Sequence, residues 1–159
     1  MKLGTTLFWT GLTAGVVFGI TKIGKLASLS KNLQVVPTIR VHKIHTGKFL
    51  IPTAVEFATD IRLLNNSNGS INIRKPSINL YLGDEIEPFG VSAPSQEIQK
   101  LEKWSEVYFD DIRIVVPVTN LPTVLMNGIT TGGITVNVEA HTTINGIPHT
   151  VRETKEVTV

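Results

Sequence analysis

Hydrophobic and polar residues alternate with a period of two through most of the chain after residue 32. In the clearest run, five residues share one face: Val55, Phe57, Thr59, Ile61 and Leu63. The charged residues Glu56, Asp60 and Arg62 lie between them. Because successive side chains of a β-strand point to opposite faces, this pattern predicts a strand with one face buried and the other in water.

The same alternation recurs along the rest of the chain. The further sets are Ile71 and Ile73; Ile78, Leu80 and Leu82; Ile112, Ile114 and Val116; and Ile134, Val136, Val138 and Ala140. A last strand is predicted over residues 149–159. About seven short strands separated by turns are typical of an antiparallel β-sandwich.

Turn signals separate the predicted strands. They are Asn68-Gly69, Asn127-Gly128, Asn145-Gly146, Gly83-Asp84 and Gly132-Gly133. Asn and Gly tolerate the positive φ that tight hairpins require. One short helix is predicted near residues 121–126, with Asn120 as its N-cap and Pro122 in its first turn. Residues 95–103 are predicted as either another helical turn or a charged loop.

The first 31 residues differ from the rest. Residues 3–21 carry no charged side chain, and as a helix they would rise roughly 28 Å, about the thickness of a bilayer's hydrocarbon core. Lys22, Lys25 and Lys31 follow and suit the anionic headgroups of lipids. We predict a transmembrane helix with a basic flank over residues 1–31. Three alternatives stay open: a cleaved signal peptide, a helix buried against partner proteins, and a helix of the domain's own core.

Three glycines of this segment, Gly11, Gly15 and Gly19, are spaced by four residues. They fall close to one helical face and form two overlapping G-x-x-x-G patterns, which let a second backbone approach closely. The functional interpretation is homo-oligomerisation or docking to another membrane helix. The alternative is that glycine is simply common in membrane helices.

The charges divide at the same boundary. The chain has 159 residues, with 15 Lys and Arg against 13 Asp and Glu. Four of the lysines fall in the first 31 residues, where there is no acidic residue. Residues 32–159 are therefore slightly acidic and of a size for one domain. An acidic domain without a basic stripe argues against nucleic-acid binding, and the absence of cysteine excludes disulfides and thiolate metal sites.

Two pairs of histidines are candidate metal ligands. His42 and His45 are three residues apart, so on a strand they are expected to point to opposite faces and not to form a metal pair. His141 and His149 flank the last predicted hairpin and could approach each other across it. No third ligand is obviously placed beside them, so the plainer interpretation is exposed histidines.

Acidic and aromatic clusters also have two interpretations. Asp110 and Asp111 are adjacent and diverge too far for a catalytic pair; one is expected to be solvated and the other to sit at a bulge or bond to the backbone. The turn Asp84, Glu85 and Glu87 could hold calcium, although such spacing is common in exposed turns. Trp104, Tyr108 and Phe109 form either a binding patch or, as we favour, an edge of the core.

No catalytic, cofactor or metal residue is predicted. The chain lacks a nucleophile elbow, a phosphate-binding glycine loop and a dinucleotide fingerprint. A function that depends on surfaces rather than on a reaction centre is therefore favoured.

The order of elements after residue 55 carries a family resemblance. An alternating strand leads into an Asn-x-Asn turn, Asn66-Ser67-Asn68, which a second strand and a third strand ending in Leu-Tyr-Leu follow. The segments 107–118, 121–128 and 134–142 then supply a strand with a proline, a short helix and the start of a final hairpin. This order resembles type-2 late-embryogenesis-abundant (LEA) proteins and their water-stress and hypersensitive-response (WHy) relatives, although Ser67 replaces the usual proline. The resemblance covers most of residues 36–158.

The resemblance implies an immunoglobulin- or fibronectin-III-like sandwich over residues 32–159, behind an N-terminal hydrophobic helix, and no catalytic residues. We expect a structural or interaction protein anchored in a membrane as a single-pass protein or in a large assembly. Its expected partners are lipid, partner helices, other proteins and its own copies, without nucleic acid or a cofactor. The alternatives are a virion or envelope component and a stress-protective or lipid-binding module, which would need an apolar pocket between its sheets.

Overall fold

The computed structural model describes residues 32–131 and 133–157. Within these residues the chain is mainly β-structure, with nine strands in two antiparallel sheets and one α-helix. The predicted N-terminal helix lies outside them, together with Gly11, Gly15, Gly19, Lys22, Lys25 and Lys31. In the described part, no helix has both the length and the apolar character needed to cross a membrane.

Three long strands form the first sheet, in the order β1 (Leu33–Thr46), β2 (Pro52–Asn65) and β7 (Ser105–Pro117). The second sheet consists of β3 (Ile71–Arg74), β4 (Ser77–Tyr81), β5 (Gly90–Val91), β6 (Ile98–Leu101), β8 (Thr135–Ile144) and β9 (Ile147–Glu156). β9 pairs along one side of β8, and β3 and β4 pair with the other side. Helix α1 (Thr123–Thr131) connects the sheets between β7 and β8, and short 3-10 turns lie at Lys48–Leu50 and Val118–Asn120.

The alternation of β2 builds the core as predicted. Val55, Phe57, Ile61 and Leu63 are at most 1% exposed, because their side chains point away from the face that carries the charged residues. The same apolar cluster contains residues of both sheets. The ring of Phe57 also meets the ring of Phe89, which precedes β5, with centroids 6.1 Å apart. The two sheets therefore share one hydrophobic core.

Gly90 of β5 permits close contact between the sheets. A Cβ atom built at this position would lie 2.8 Å from Cγ2 of Val116 and 3.0 Å from Cγ2 of Ile114, both on β7. Non-bonded carbon atoms pack at roughly 3.5–4.0 Å. A side chain at Gly90 would therefore push β5 away from the first sheet.

We expect Gly90→Ala to lower the free energy of unfolding by about 1–3 kcal/mol, the usual cost of overpacking a core. Gly69→Ala is the matched control, because a Cβ atom at Gly69 meets nothing within 4 Å, and its effect should stay within about 0.5 kcal/mol. Urea unfolding followed by circular dichroism measures both variants. Equal effects at the two glycines would contradict the packing argument.

Among the described strands, β1 pairs only with β2 and β9 only with β8, so both are edge strands. Each contains a proline, Pro37 and Pro148 respectively, and proline is tolerated at edges because no ladder hydrogen bond is needed there. β1 also runs close to β9, and β7 runs close to β5 and β6. The edges of the two sheets therefore approach each other on both sides of the core.

Some of the predicted turns are present in the structure, and one of them is part of a helix instead. Asn145 and Gly146 have φ of 50° and 80° and join β8 to β9 as a two-residue turn, as predicted. Gly83 and Gly133 also have positive φ, at 55° and 91°. The turn predicted at Asn127-Gly128 is wrong, because both residues lie inside α1. A Cβ atom at Gly128 would lie 1.9 Å from Cγ1 of Ile134, so glycine allows close helix packing there.

The predicted helix exists, but it begins and ends later than expected. The N–H of Met126 donates to the carbonyl of Pro122 at 3.3 Å, so Pro122 rather than Asn120 occupies the cap position. Asn120 instead belongs to the 3-10 turn before it.

Residues 95–103 were predicted as a helical turn or a charged loop, but part of this segment is the strand β6, which pairs with β3. Pairing with a distant strand overrides the weak local preference.

Candidate interaction surface

The hairpin that joins β1 to β2 ends in exposed apolar residues. Phe49 is 93% exposed, Leu50 82% and Ile51 61%. Phe49 and Leu50 have φ of 61° and 60°, a left-handed conformation that is unfavourable for bulky side chains. The N–H of Gly47 donates to the carbonyl of Ile51 at 2.8 Å and closes the loop. We call residues 47–51 the hairpin tip; it holds apolar side chains in water in a strained conformation.

One feature of the sequence marks this tip, although the alternation of apolar and polar residues does not predict it. Residues 40–51 contain arginine, lysine and histidine but no acidic residue, and they end in the apolar run Phe49-Leu50-Ile51. Turn residues between two strands are usually polar or glycine. An apolar run at that position is therefore unusual and points to a contact surface.

The outer face of the first sheet carries a network of ion pairs behind the tip. Arg113 lies 3.0 Å from Glu56 and 2.5 Å from Asp111. Arg40 pairs with Asp60 and lies 3.5 Å from Asp111. The Arg113–Glu56 and Arg40–Asp60 pairs join neighbouring strands, so they help to fix the register of the sheet.

Two carboxylates of this network, those of Glu56 and Asp111, have a lowered pKa. The hydrogen bond from His45 lowers the pKa of Glu56, with a further contribution from the charge of Arg113. The hydrogen bond from Arg113 lowers the pKa of Asp111. A general acid needs a raised pKa, so these two carboxylates lack the property that acid catalysis at neutral pH requires.

The adjacent acids Asp110 and Asp111 lie at a β-bulge, as predicted for one of them. The register between β2 and β7 shifts between Thr59 and Ile61, and Asp111 has a φ of 60°. The N–H of Asp111 donates to Oδ1 of Asp60 at 2.8 Å. Asp110 is exposed, which agrees with the prediction that one of the pair is solvated.

The histidines do not form metal sites in the part of the chain that the structure describes. His42 is the extra residue of a bulge in β1, so the strict alternation assumed for His42 and His45 breaks there, and the charge of His42 acts on the pKa of Glu56 alongside His45. His141 faces Thr150, and His149 faces Thr142. The two therefore point to opposite faces, and the predicted approach between them is wrong.

No group of three His, Asp or Glu residues that could hold a metal ion occurs within residues 32–131 and 133–157. The acidic turn Asp84, Glu85 and Glu87 is exposed, and the N–H of Glu85 donates to the carbonyl of Leu82 at 3.2 Å. These features are those of an exposed turn, which was the alternative to a calcium site.

The aromatic cluster is split between the core and the surface. Phe109 is 2% exposed and belongs to the core, as favoured from the sequence. The same interpretation is wrong for Trp104 and Tyr108, which are 64% and 48% exposed. Tyr108 lies on the outer face, where the guanidinium of Arg62 is 5.8 Å from its ring centroid. Trp104, with a φ of 56°, occupies the turn before β7.

The motif Asn66-Ser67-Asn68 lies in the loop that crosses from the first sheet to the second. Neither Asn68 nor Gly69 has a positive φ, so this loop is not a tight hairpin turn. The N–H of Asn66 donates to the carbonyl of Asn32 at 2.7 Å. The loop therefore lies at the end of the domain where the described chain begins.

Asn65 organises this loop, although no motif in the sequence predicts this role. It is 1% exposed, and its side-chain amide donates to the carbonyls of Gly69 at 2.7 Å and Glu102 at 3.0 Å. Its Oδ1 accepts from the N–H of Ser67 at 3.1 Å and from the hydroxyl of the same residue at 2.6 Å. The signal was present, because Asn65 continues the odd-numbered buried face of β2.

Comparisons with known proteins give likenesses of low sequence identity. The chain matches no protein-family model and no curated protein. Among solved structures it is similar to the structural genomics target SoR45, with 6% identity over 81% of this chain and 88% of that chain and a TM-score of 0.48. It is similar to the putative ApaA protein from Bordetella pertussis, with 16% identity, coverage of 79% and 93% and a TM-score of 0.44. It is also similar to AT1g01470 from Arabidopsis thaliana, with 16% identity, coverage of 76% and 78% and a TM-score of 0.46.

Proposed function

We propose that the chain is a non-enzymatic interaction module anchored through residues 1–31 in a membrane or a large assembly. The module is a sandwich of the immunoglobulin or fibronectin-III kind, as the resemblance to type-2 LEA proteins implies. It presents the hairpin tip to a partner protein. Display from a virion or envelope would be the same role in another setting.

The exposure of Phe49 and Leu50 is the observation that carries this proposal. Soluble proteins rarely leave adjacent bulky apolar side chains almost fully exposed without a use for them. Both residues also adopt a backbone conformation that costs free energy, and such strain is concentrated at functional sites. An anchor residue inserted into a pocket of a partner would account for both features.

The position of the tip suits outward display. β1 begins at Leu33, directly after the hydrophobic segment, and reaches Thr46 after 14 residues. At about 3.3 Å per residue, the tip lies roughly 45 Å from the beginning of the strand. Because β1 pairs with β2 over its whole length, the hairpin is a supported arm rather than a loose loop.

The lipid-binding alternative has less support. It requires an apolar cavity between the sheets, whereas the described part of that space is filled by core side chains. Phe57, Ile114 and Leu125 are fully buried there, and β5 contacts β7 closely at Gly90.

Photo-cross-linking tests the proposal in the native membrane or particle. A photoreactive phenylalanine analogue at Phe49 in the full-length chain should give a discrete cross-linked product. The matched control is the same analogue at Ile86, which is 94% exposed in the acidic turn. Leu50→Ser should reduce the yield at Phe49 several-fold without changing the urea midpoint, because Leu50 is exposed. No product at Phe49, or the same products at Ile86, would contradict a docking role of the tip.

A further inference from the structure

The arginines of the chain differ sharply in their partners. Arg40, Arg62 and Arg113 pair with carboxylates, and Arg152 lies 4.6 Å from the ring centroid of Tyr81 and donates to the carbonyl of Gly83 at 3.3 Å. Arg74 has no carboxylate partner among the described residues, and its Nε is buried without a hydrogen-bond acceptor. The terminal nitrogens of the same guanidinium are accessible and have no hydrogen-bond partner among the described residues, so they are the donors that an anion can reach.

Arg74 lines a pocket on the second sheet, at the point where β3 ends and β4 begins. The pocket has a volume of about 210 Å³ and is also lined by Lys75, Ser77, Ser95, His141 and Thr143. A water molecule occupies roughly 30 Å³ in the liquid, so the pocket has room for a larger polar group. Its lining residues include two cations and no carboxylate.

The backbone around Arg74 is fixed from two directions. The hydroxyl of Thr142 on β8 donates to the carbonyl of Arg74. The N–H of Lys75 donates to the carbonyl of Glu97 at 2.8 Å. Both contacts join residues that are far apart in the sequence, so the backbone that carries the Arg74 side chain is held in place before any ligand arrives. Preorganisation of this kind favours binding.

The other lining groups supply further donors. The hydroxyls of Ser77 and Thr143 have no hydrogen-bond partner within the described residues. Lys75 Nζ lies 3.6 Å from Glu97 Oε2, a loose and partly exposed pair that a stronger anion can displace. His141 already has partners, since its Nε2 lies 2.7 Å from Glu139 Oε1 and its Nδ1 lies 3.1 Å from the hydroxyl of Thr150. Its ring therefore lines the pocket without adding a free donor.

We propose that this pocket binds a phosphate group, with Arg74 donating to its oxygens and Lys75, Ser77 and Thr143 completing the contacts. Charged hydrogen bonds from arginine to phosphate are short and strong. The number of donors favours phosphate over a carboxylate, since a phosphomonoester offers three terminal oxygens and up to two negative charges. The phosphate can be the free ion or part of a larger molecule. The site does not depend on the anchored display role.

Arginine side-chain NMR of the full-length protein tests this site. The sequence contains five arginines, so the Nε–Hε signals are few, and the loss of one signal in Arg74→Gln assigns Arg74. Addition of sodium phosphate should shift the Arg74 signal to a plateau, while sodium chloride at the same ionic strength should not. A shift that is linear, or equal in chloride, would show screening alone and overturn the proposal. No shift at all would mean that the pocket does not bind phosphate, and this also overturns the proposal.

Variants provide the second part of the test. Arg74→Gln should weaken phosphate binding by about tenfold or more, as expected for loss of a charged hydrogen bond. Ser77→Ala should weaken it by a smaller factor, and this variant keeps the test decisive if Arg74→Gln unfolds. Arg62→Gln is the matched control and should leave the affinity unchanged; an equal loss there would contradict the site. Tighter binding of O-phosphoserine than of inorganic phosphate would identify a phosphomonoester as the source, and the reverse order would identify the free ion.

Discussion

Asn65→Ala is expected to lower the free energy of unfolding by about 3 kcal/mol. The side chain is buried and makes four good hydrogen bonds in the loop between the sheets. Alanine would remove all four bonds, although the carbonyls of Gly69 and Glu102 keep the hydroxyls of Ser67 and Ser105 as donors. The expected loss is therefore that of several hydrogen bonds, each with a net value of roughly 0.5–1.5 kcal/mol. Urea unfolding at several temperatures measures the effect.

Asn66→Ala is the matched control, because the next residue is the same amino acid but is exposed. Its effect should stay within about 0.5 kcal/mol. Ser67→Ala removes one hydroxyl contact with Asn65 and should cost about 1 kcal/mol. If Asn65→Ala were no more harmful than Asn66→Ala, the loop would not depend on the buried amide.

Deletion of residues 1–31 is expected to move nearly all of the protein from the membrane pellet to the soluble fraction. The uncharged run of residues 3–21 is long enough to cross the hydrocarbon core of a bilayer as a helix, which is the basis of this expectation. The cut leaves Asn32, whose carbonyl accepts from Asn66, and it leaves β1 complete. The protein without residues 1–31 should therefore unfold at the same urea concentration as the full-length protein. Fractionation of both proteins from the native host, followed by immunoblotting, makes the comparison.

Gly15→Leu separates anchoring from self-association. It should stay in the membrane pellet, because leucine is more apolar than glycine, yet it should cross-link to itself less if the glycine face is an interface. A full-length chain that stays soluble and monomeric would refute the anchor. Unchanged cross-linking in Gly15→Leu would refute the glycine interface alone.

The parts of the fold that the sequence predicted correctly are those that local rules decide. The two-residue period placed the buried face of β2, because burial on one face fixes alternate positions. Asn145-Gly146 was predicted because its positive φ is a property of the two residues themselves. The same rule failed at Asn127-Gly128, where α1 packs against Ile134 and close approach replaces turn formation as the reason for glycine.

The parts that could not be predicted depend on residues distant in sequence. The bulges at His42 and Asp111 each add a residue to a strand, and alternation alone cannot place such an insertion. The Arg74 pocket requires β3 and β4 to lie on the same side of β8, which no local pattern contains. The hairpin tip and Asn65 were visible as departures from pattern, an apolar turn and a polar residue on a buried face. The anchor and the family resemblance stay predictions.

The prolines on the two edge strands have a consequence for the proposed anchoring, which would hold copies of the chain side by side. Neighbouring copies meet constantly in that setting, and an open ladder of backbone donors would invite one copy to seed fibril growth in the next. Pro37 interrupts that ladder on β1, and Pro148 does the same on β9. Crowding can therefore bring copies together without setting off irreversible polymerisation.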